Sequence, residues 1–140
     1  MVGTSRQVLE FRLGGERYCV SIDYVTEIVD VGEVTAVPNA PRHVEGVMDL
    51  RGRTTSIVDP RTVFGIGGNG DAERIVVYDP EVVGDDTAAG WLVDGVDRVS
   101  TVDPEEVDDS PAADDEAVDG VVKRGEDFVV WVDPRSVHAG

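Results

Sequence analysis

The chain has 140 residues, 12 basic against 29 acidic, and a formal net charge of −17 at pH 7. That balance argues against nucleic acid as a partner, because phosphate contacts need clustered Lys and Arg. The length allows one domain, or two very small units sharing a core. No apolar run nears the roughly 18 residues of a membrane span, and the N-terminus lacks the apolar stretch of an export signal. A single Cys19 cannot form an internal disulfide, which fits a reducing cytoplasm.

Hydrophobic residues make up 41% of the chain, led by Val, and that favours strands over helices. "QVLEFRLGGERYCVSI" reads as a hairpin turning at Gly14-Gly15, with Leu9, Phe11 and Leu13 alternating against Glu10 and Arg12. Asp23 reads as an N-cap for one helical turn over "YVTEI". "VTAVPNAPRHV" carries Pro38 and Pro41 and is extended or turned. "GVMDLR" and "TTSIVD" form a second hairpin about Gly52-Arg53, and Pro60 opens a short helical turn. "GIGGNGDAE" is a loop, followed by strands in "RIVVYD", "AAGWLVDGV" and "RVSTV". Residues 103–117 are acidic and nearly free of large apolar groups, so they read as a solvated loop. "EDFVVWVD" closes the chain as a strand.

Two stretches repeat. "EGVMDLRGRTTSIVDPRTV" (45–63) lies over "DGVVKRGEDFVVWVDPRSV" (119–137), each residue 74 positions from its match. The same offset sets Ile22 on Val96, Val25 on Val99 and Ile28 on Val102, which relates much of 19–63 to 93–137. The expectation is one domain over 1–140, built of two similar small all-β units whose shared interface is part of the core.

Little here points to catalysis. Gly65, Gly67 and Gly70 match G-x-G-x-x-G, but a strand follows where a nucleotide site needs a helix. Two histidines, His43 and His138, cannot build a zinc site without carboxylates, and the acidic run lacks the spacing of a calcium loop. Cys19 lies mid-strand and reads as a buried, inert thiol. No cofactor, metal or enzymatic activity is expected. Two charges stand out: Glu27 among Val25, Ile28 and Val29, and Arg51 between an apolar run and a glycine. A charge in such a setting is either solvated at an edge or paired, and a Glu27–Arg51 pair satisfies both.

Taken in order, "YCVSIDYVTEIV", "VPNAPRHVEGVMDLRGRTTSIVDPRTVFG", "AAGWLVDGVDRV" and "GEDFVVWVDPRSV" resemble the CheW family of chemotaxis coupling proteins over nearly the whole chain. The resemblance implies an all-β fold of two five-stranded SH3-like barrels with short helical turns and a hydrophobic core between them. It also implies an adaptor in the cytoplasm, recruited to membrane-associated receptor arrays without inserting into the membrane. Such an adaptor joins the cytoplasmic tips of chemoreceptors to the regulatory domain of the histidine kinase CheA.

Carried onto this chain, Val25, Glu27, Gly46, Arg51, Gly52 and Ile57 fall on the receptor-side groove and its support. Gly90, Val93 and Val96 fall on the second barrel, where the kinase docks. Ile57 and Val96 also fit a purely core role, and the three glycines a purely backbone one. "VDPR" stands where the family more often has "VDLR", and the C-terminal helical segment of some relatives is missing after the last strand, which puts helix-mediated contacts in doubt. Two other readings fit the same fold: a scaffold for another signalling kinase, and a β-barrel that binds a small ligand. The spread of acid through folded segments further suggests a protein adapted to high salt.

Overall fold

In the structure, a computed structural model that describes residues 5–66, 72–83, 88–108 and 117–138, the first local event is a tight turn. Gly14 and Gly15 take φ of 58° and 87°, the pair of positive values that a two-residue hairpin needs. They join β1 (Arg6–Leu13) to β2 (Glu16–Ser21) antiparallel. The strands β3 (Val25–Asp30), β4 (Val44–Leu50), β5 (Arg53–Val58), β6 (Arg74–Tyr78), β7 (Ala88–Val93), β8 (Gly95–Val102), β9 (Val107–Asp108), β10 (Val118–Arg124) and β11 (Asp127–Val132) follow. Three short helices, α1 (Pro60–Phe64), α2 (Pro80–Val83) and α3 (Pro134–His138), and two 3-10 turns, Ile22–Tyr24 and Pro104–Glu106, complete the described elements.

The strands form two sheets, one in the order β8-β1-β2-β11-β10-β9 and one in the order β3-β6-β7-β5-β4. This is the two-barrel SH3-like architecture. The chain crosses between barrels: the N-terminal hairpin joins the C-terminal strands through a parallel β2–β11 pairing, and β7 joins β5 in the same way. A large core lies between the sheets, where Leu9, Phe11, Tyr18 and Val132 from one meet Val58, Val76, Tyr78 and Trp91 from the other. Each barrel also has its own interior: Val8, Cys19, Val122 and Trp131 in the six-stranded one, and Met48, Ile57, Ile75 and Val77 in the five-stranded one.

The two copies of "VDPR" are helix starts. Asp59 accepts a hydrogen bond from the Arg61 amide (3.0 Å), and Asp133 accepts one from the Arg135 amide (2.9 Å). Proline stands at the first helical position, where its missing N–H has no intrahelical partner to lose. Each arginine then turns back onto its own aspartate, at 3.3 Å for Arg61 and 3.1 Å for Arg135. Asp79-Pro80 opens α2 on the same plan.

Several sequence expectations change. "VTEIV" is strand β3, because its β-branched residues pair with β6; the helical turn is shorter and earlier, at Ile22–Tyr24, with Asp23 inside it. The second hairpin turns at Arg51-Gly52, one residue early. Glu10 is 1% exposed rather than solvent-facing, since β1 is buried on both faces. Residues 103–108 are ordered: Asp103 and Glu106 cap a turn at Pro104–Glu106, and Val107 packs into the barrel interior. Residues 109–116, Gly67 and Gly70 lie outside the described residues, while Gly65 is the left-handed C-cap of α1.

The 74-residue offset holds from Val44 onward. There β4 and β10 share one burial pattern, β5 and β11 share another, and both hairpins bulge at the glycine, Gly46 or Gly120. Before Val44 the spacing is shorter, by three residues over β2 and β3 and by seven over β1. Ladder partners match Cys19 with Gly90, Glu27 with Arg98 and Ile28 with Val99, not Ile28 with Val102, and they match Glu10 with Val77.

Candidate functional site

Arg51 has a φ of 53°, and its partner in the turn, Gly52, has 82°. The matched position in the other barrel's hairpin is Gly125, with φ 62°. An arginine there costs about 1 kcal/mol relative to glycine, because its Cβ crowds the backbone. The side chain gives that cost a context: its guanidinium donates to the Glu27 carboxylate across from β3. Arg51 is 71% exposed and Glu27 is 28% exposed at the side chain, so the pair itself contributes at most about 1 kcal/mol. The contact runs through Nη2, and the rest of the side chain stays largely accessible.

The pair stands at the rim of a cleft of about 280 Å³, lined by Thr26, Glu27, Leu50, Arg51, Arg53, Pro80 and Ala88 among others. Three lines of structure converge on it. The β4–β5 turn brings Arg51 and Arg53, the β3 edge strand brings Thr26 and Glu27, and the parallel β5–β7 pairing brings Ala88. Thr26 is tied back to the Val77 carbonyl at 3.2 Å. The result is an open mixed surface with a carboxylate, two guanidinium groups and short apolar stems, which suits a polypeptide side rather than an enclosed small molecule. The sequence assigns no binding role to Arg53, Pro80 or Ala88; Arg53 is two residues from Arg51, and nothing local to Pro80 or Ala88 points to the cleft.

The other expected residues divide by burial. Val25 is half-buried against the inter-barrel core, and Gly46 lies at the β4 bulge behind the rim. Ile57 is fully buried in the five-stranded barrel and presents nothing outward. Gly90 faces the same interior, where an added methyl would come 2.5 Å from Ile75 Cγ2. Val93 is fully buried in the inter-barrel core and Val96 packs partly against it. Ile57, Gly90 and Val93 are thus packing residues, and they reach a partner only through what they hold in place.

Elsewhere, Cys19 is fully buried, and burial followed by the nearby Glu10 carboxylate pushes its thiol well up. It is no nucleophile at neutral pH. Among the described residues, no group of three or more His, Cys, Asp or Glu side chains could hold a metal ion.

The CheW-like domain family matches residues 7–139. The chain belongs to this family. The CheW-like chain is 33% identical over 106 residues to the chemotaxis protein CheW of Rhizobium meliloti, covering 76% of this chain and 67% of that protein. It is 30% identical over 137 residues to CheW of Treponema pallidum, covering 91% and 78%. Among solved structures, the scaffolding protein TtCheW of Thermoanaerobacter tengcongensis superposes with a TM-score of 0.80 at 27% identity, covering 93% of this chain and 85% of that one.

Proposed function

We propose that this CheW-like chain is a non-catalytic chemotaxis adaptor that couples chemoreceptors to the histidine kinase CheA. Relatives named chemotaxis protein CheW and a scaffolding protein with the same fold support the reading. The observation that carries it to particular residues is Arg51, held in a left-handed turn and braced on Glu27 at the rim of the cleft. The receptor tip docks there, with Glu27 and Arg51 on the rim, Gly52 shaping the turn, and Val25, Gly46 and Ile57 as support. Gly90 and Val93 stand in β7 of the five-stranded barrel rather than on the other barrel as expected, and only Val96, in β8, belongs to the six-stranded one. The regulatory domain of CheA docks on the six-stranded barrel side, with Val96 backing that surface. The adaptor works in the cytoplasm at receptor arrays; among the described residues no helix is long and apolar enough to cross a membrane. Its excess of acid adapts it to high salt.

Reconstitution tests this. The chain, a chemoreceptor cytoplasmic fragment and CheA are mixed, and kinase activation and pairwise binding are measured. Arg51→Glu sets two carboxylates together and removes the guanidinium donors. The expected variant is folded, still binds CheA and no longer couples it to receptor. A folded Arg51→Glu that couples normally overturns the site assignment.

A further inference from the structure

The two barrels follow one plan, yet their interiors differ at three matched positions. Val29, Leu50 and Val77 close the interior of the five-stranded barrel with apolar groups. By the ladder partners above, the six-stranded barrel has Ser100, Arg124 and Glu10 in those places. The three are joined. Arg124 Nη2 donates to Ser100 Oγ at 3.1 Å and to the Thr101 carbonyl at 2.8 Å, and Ser100 donates to the Glu10 carboxylate. Arg98 Nε lies 3.6 Å from Glu10, and Cys19 stands directly opposite Glu10 on β2.

The apolar trio shows that the same framework closes without charge. A buried ionic group in place of a well-packed apolar one is commonly neutral or unfavourable for stability, so stability alone does not account for the network. Its outer end supplies another role. Arg124 Nη1 lies 3.4 Å from Glu106, whose other oxygen accepts from the Asp103 amide at 2.9 Å. Residues 103–108 lead directly into β9, which covers Val121 and Val122 on the edge of β10. The matched strap in the other barrel is fastened through Thr35 to Val47 by two backbone hydrogen bonds of 2.8 and 2.9 Å, at the position where Asp108 pairs with Val121, so what sets the strap at 103–108 apart is the side-chain tether to Arg124.

We propose that Glu10, Ser100 and Arg124 are a latch that holds residues 103–108 as a strap over the β10 edge, so that this edge opens without unfolding either barrel. Glu10 and Ser100 fix the guanidinium, and the guanidinium fixes Glu106. An uncovered strand edge is a template for another strand, so the latch sets when that edge is available.

Hydrogen exchange read by mass spectrometry on the full chain tests the latch. Two variants are compared with the parent. Glu106→Gln removes the ion pair and keeps the oxygen that caps Asp103. The triple variant E10V/S100V/R124L installs the other barrel's residues. In both, exchange over 104–108 and 120–123 is expected to rise by about tenfold, with no change over 45–49. The triple variant is expected to melt at or above the parent. Unchanged exchange over 104–108 in a folded variant overturns the proposal, because Val107 packing would then suffice to hold the strap. A rise shared equally by 45–49 overturns it too, because the effect would be global. Should the triple variant not fold, Glu106→Gln decides alone on the same two criteria.

Discussion

Thr35 crosses Gly46 so closely that a methyl group on Gly46 would overlap the Thr35 carbonyl oxygen and lie 2.7 Å from its carbon. Gly46 also has a φ of 154°, a backbone region that L side chains rarely adopt. Gly46→Ala therefore has to push backbone against backbone and strain its own, and a loss of at least about 2 kcal/mol is expected in denaturant melts. Gly120, its match, would place a methyl 2.9 Å from Val107 Cγ1, a side chain that can shift. Gly120→Ala should cost clearly less; equal losses would refute the assignment of Thr35 as the obstacle.

The acidic segment divides at Asp108. Replacing 109–116 by a short Gly/Ser linker should leave the melt nearly unchanged, because "DSPAADDE" offers nothing large to bury and loop length costs little closure entropy. Extending the replacement to 104–116 removes the capped turn, the Arg124–Glu106 pair, β9 and the half-buried Val107 side chain. That version should lose about 2 kcal/mol or more. Equal melts for the two replacements would mean that β9 contributes nothing.

Asp119 predicts a pH effect with a definite sign. Burial, and then the Asp133 carboxylate, raise its pKa above the ordinary 3.8, although Arg135 and Arg6 pull the other way. A carboxyl whose folded pKa lies above its unfolded one binds its proton more tightly when folded, so stability falls as pH rises through that window. At pH 7 the ionised Asp119 is a net cost. Asp119→Asn should raise the melting midpoint at pH 7, and the gain should shrink as pH falls towards 4. A gain independent of pH would place the effect outside titration.

Much of this was legible in advance because local chemistry decides it. The Gly14-Gly15 turn and the helical turn at Pro60 use residues that few other structures accommodate, whereas the same start at Pro80 and Pro134 went unread. The Glu27–Arg51 pair was legible because each charge sits among apolar neighbours. Glu10 was not, since its alternation with Leu9 and Phe11 imitates a strand with one wet face, and only the β2 and β8 neighbours show that both faces are covered. The repeat misled before Val44 because the matched strands are three to seven residues closer there, and Val-rich strands tolerate a slipped register. The cleft residues Pro80 and Ala88 come from sequence far from Arg51: the parallel β5–β7 pairing brings Ala88 and the β3–β6 pairing brings the start of α2, and no local pattern announces either.

Salt should stabilise this chain. Several arginines are already engaged at the surface, as in Arg12–Asp97 at 3.0 Å, and high salt weakens such pairs. The net charge of −17 is the larger quantity, and its self-repulsion is screened once the Debye length falls to about 3 Å in molar salt. Thermal melts in dilute buffer and in molar KCl should show a higher midpoint in salt. An unchanged or lower midpoint would count against salt adaptation.

The turn at Arg51 separates binding from folding. Arg51→Gly removes the guanidinium, leaves Glu27, already 28% exposed beside Arg51, able to hydrate, and gives the turn the residue that the matched hairpin already uses at Gly125. The lost ion pair costs at most about 1 kcal/mol, and relief of the left-handed arginine returns a similar amount. Stability should thus stay within about 1 kcal/mol of the parent, judged by the denaturant midpoint. Receptor-fragment binding should fall by about tenfold, the loss expected for a charged contact at an interface, while binding to CheA stays the same. Arg51→Lys keeps the charge but not the planar fork, and it should recover only part of the receptor affinity. If Arg51→Gly binds receptor as the parent does, then Arg51 is an ornament of the turn, and the receptor surface has to be sought elsewhere on the double barrel.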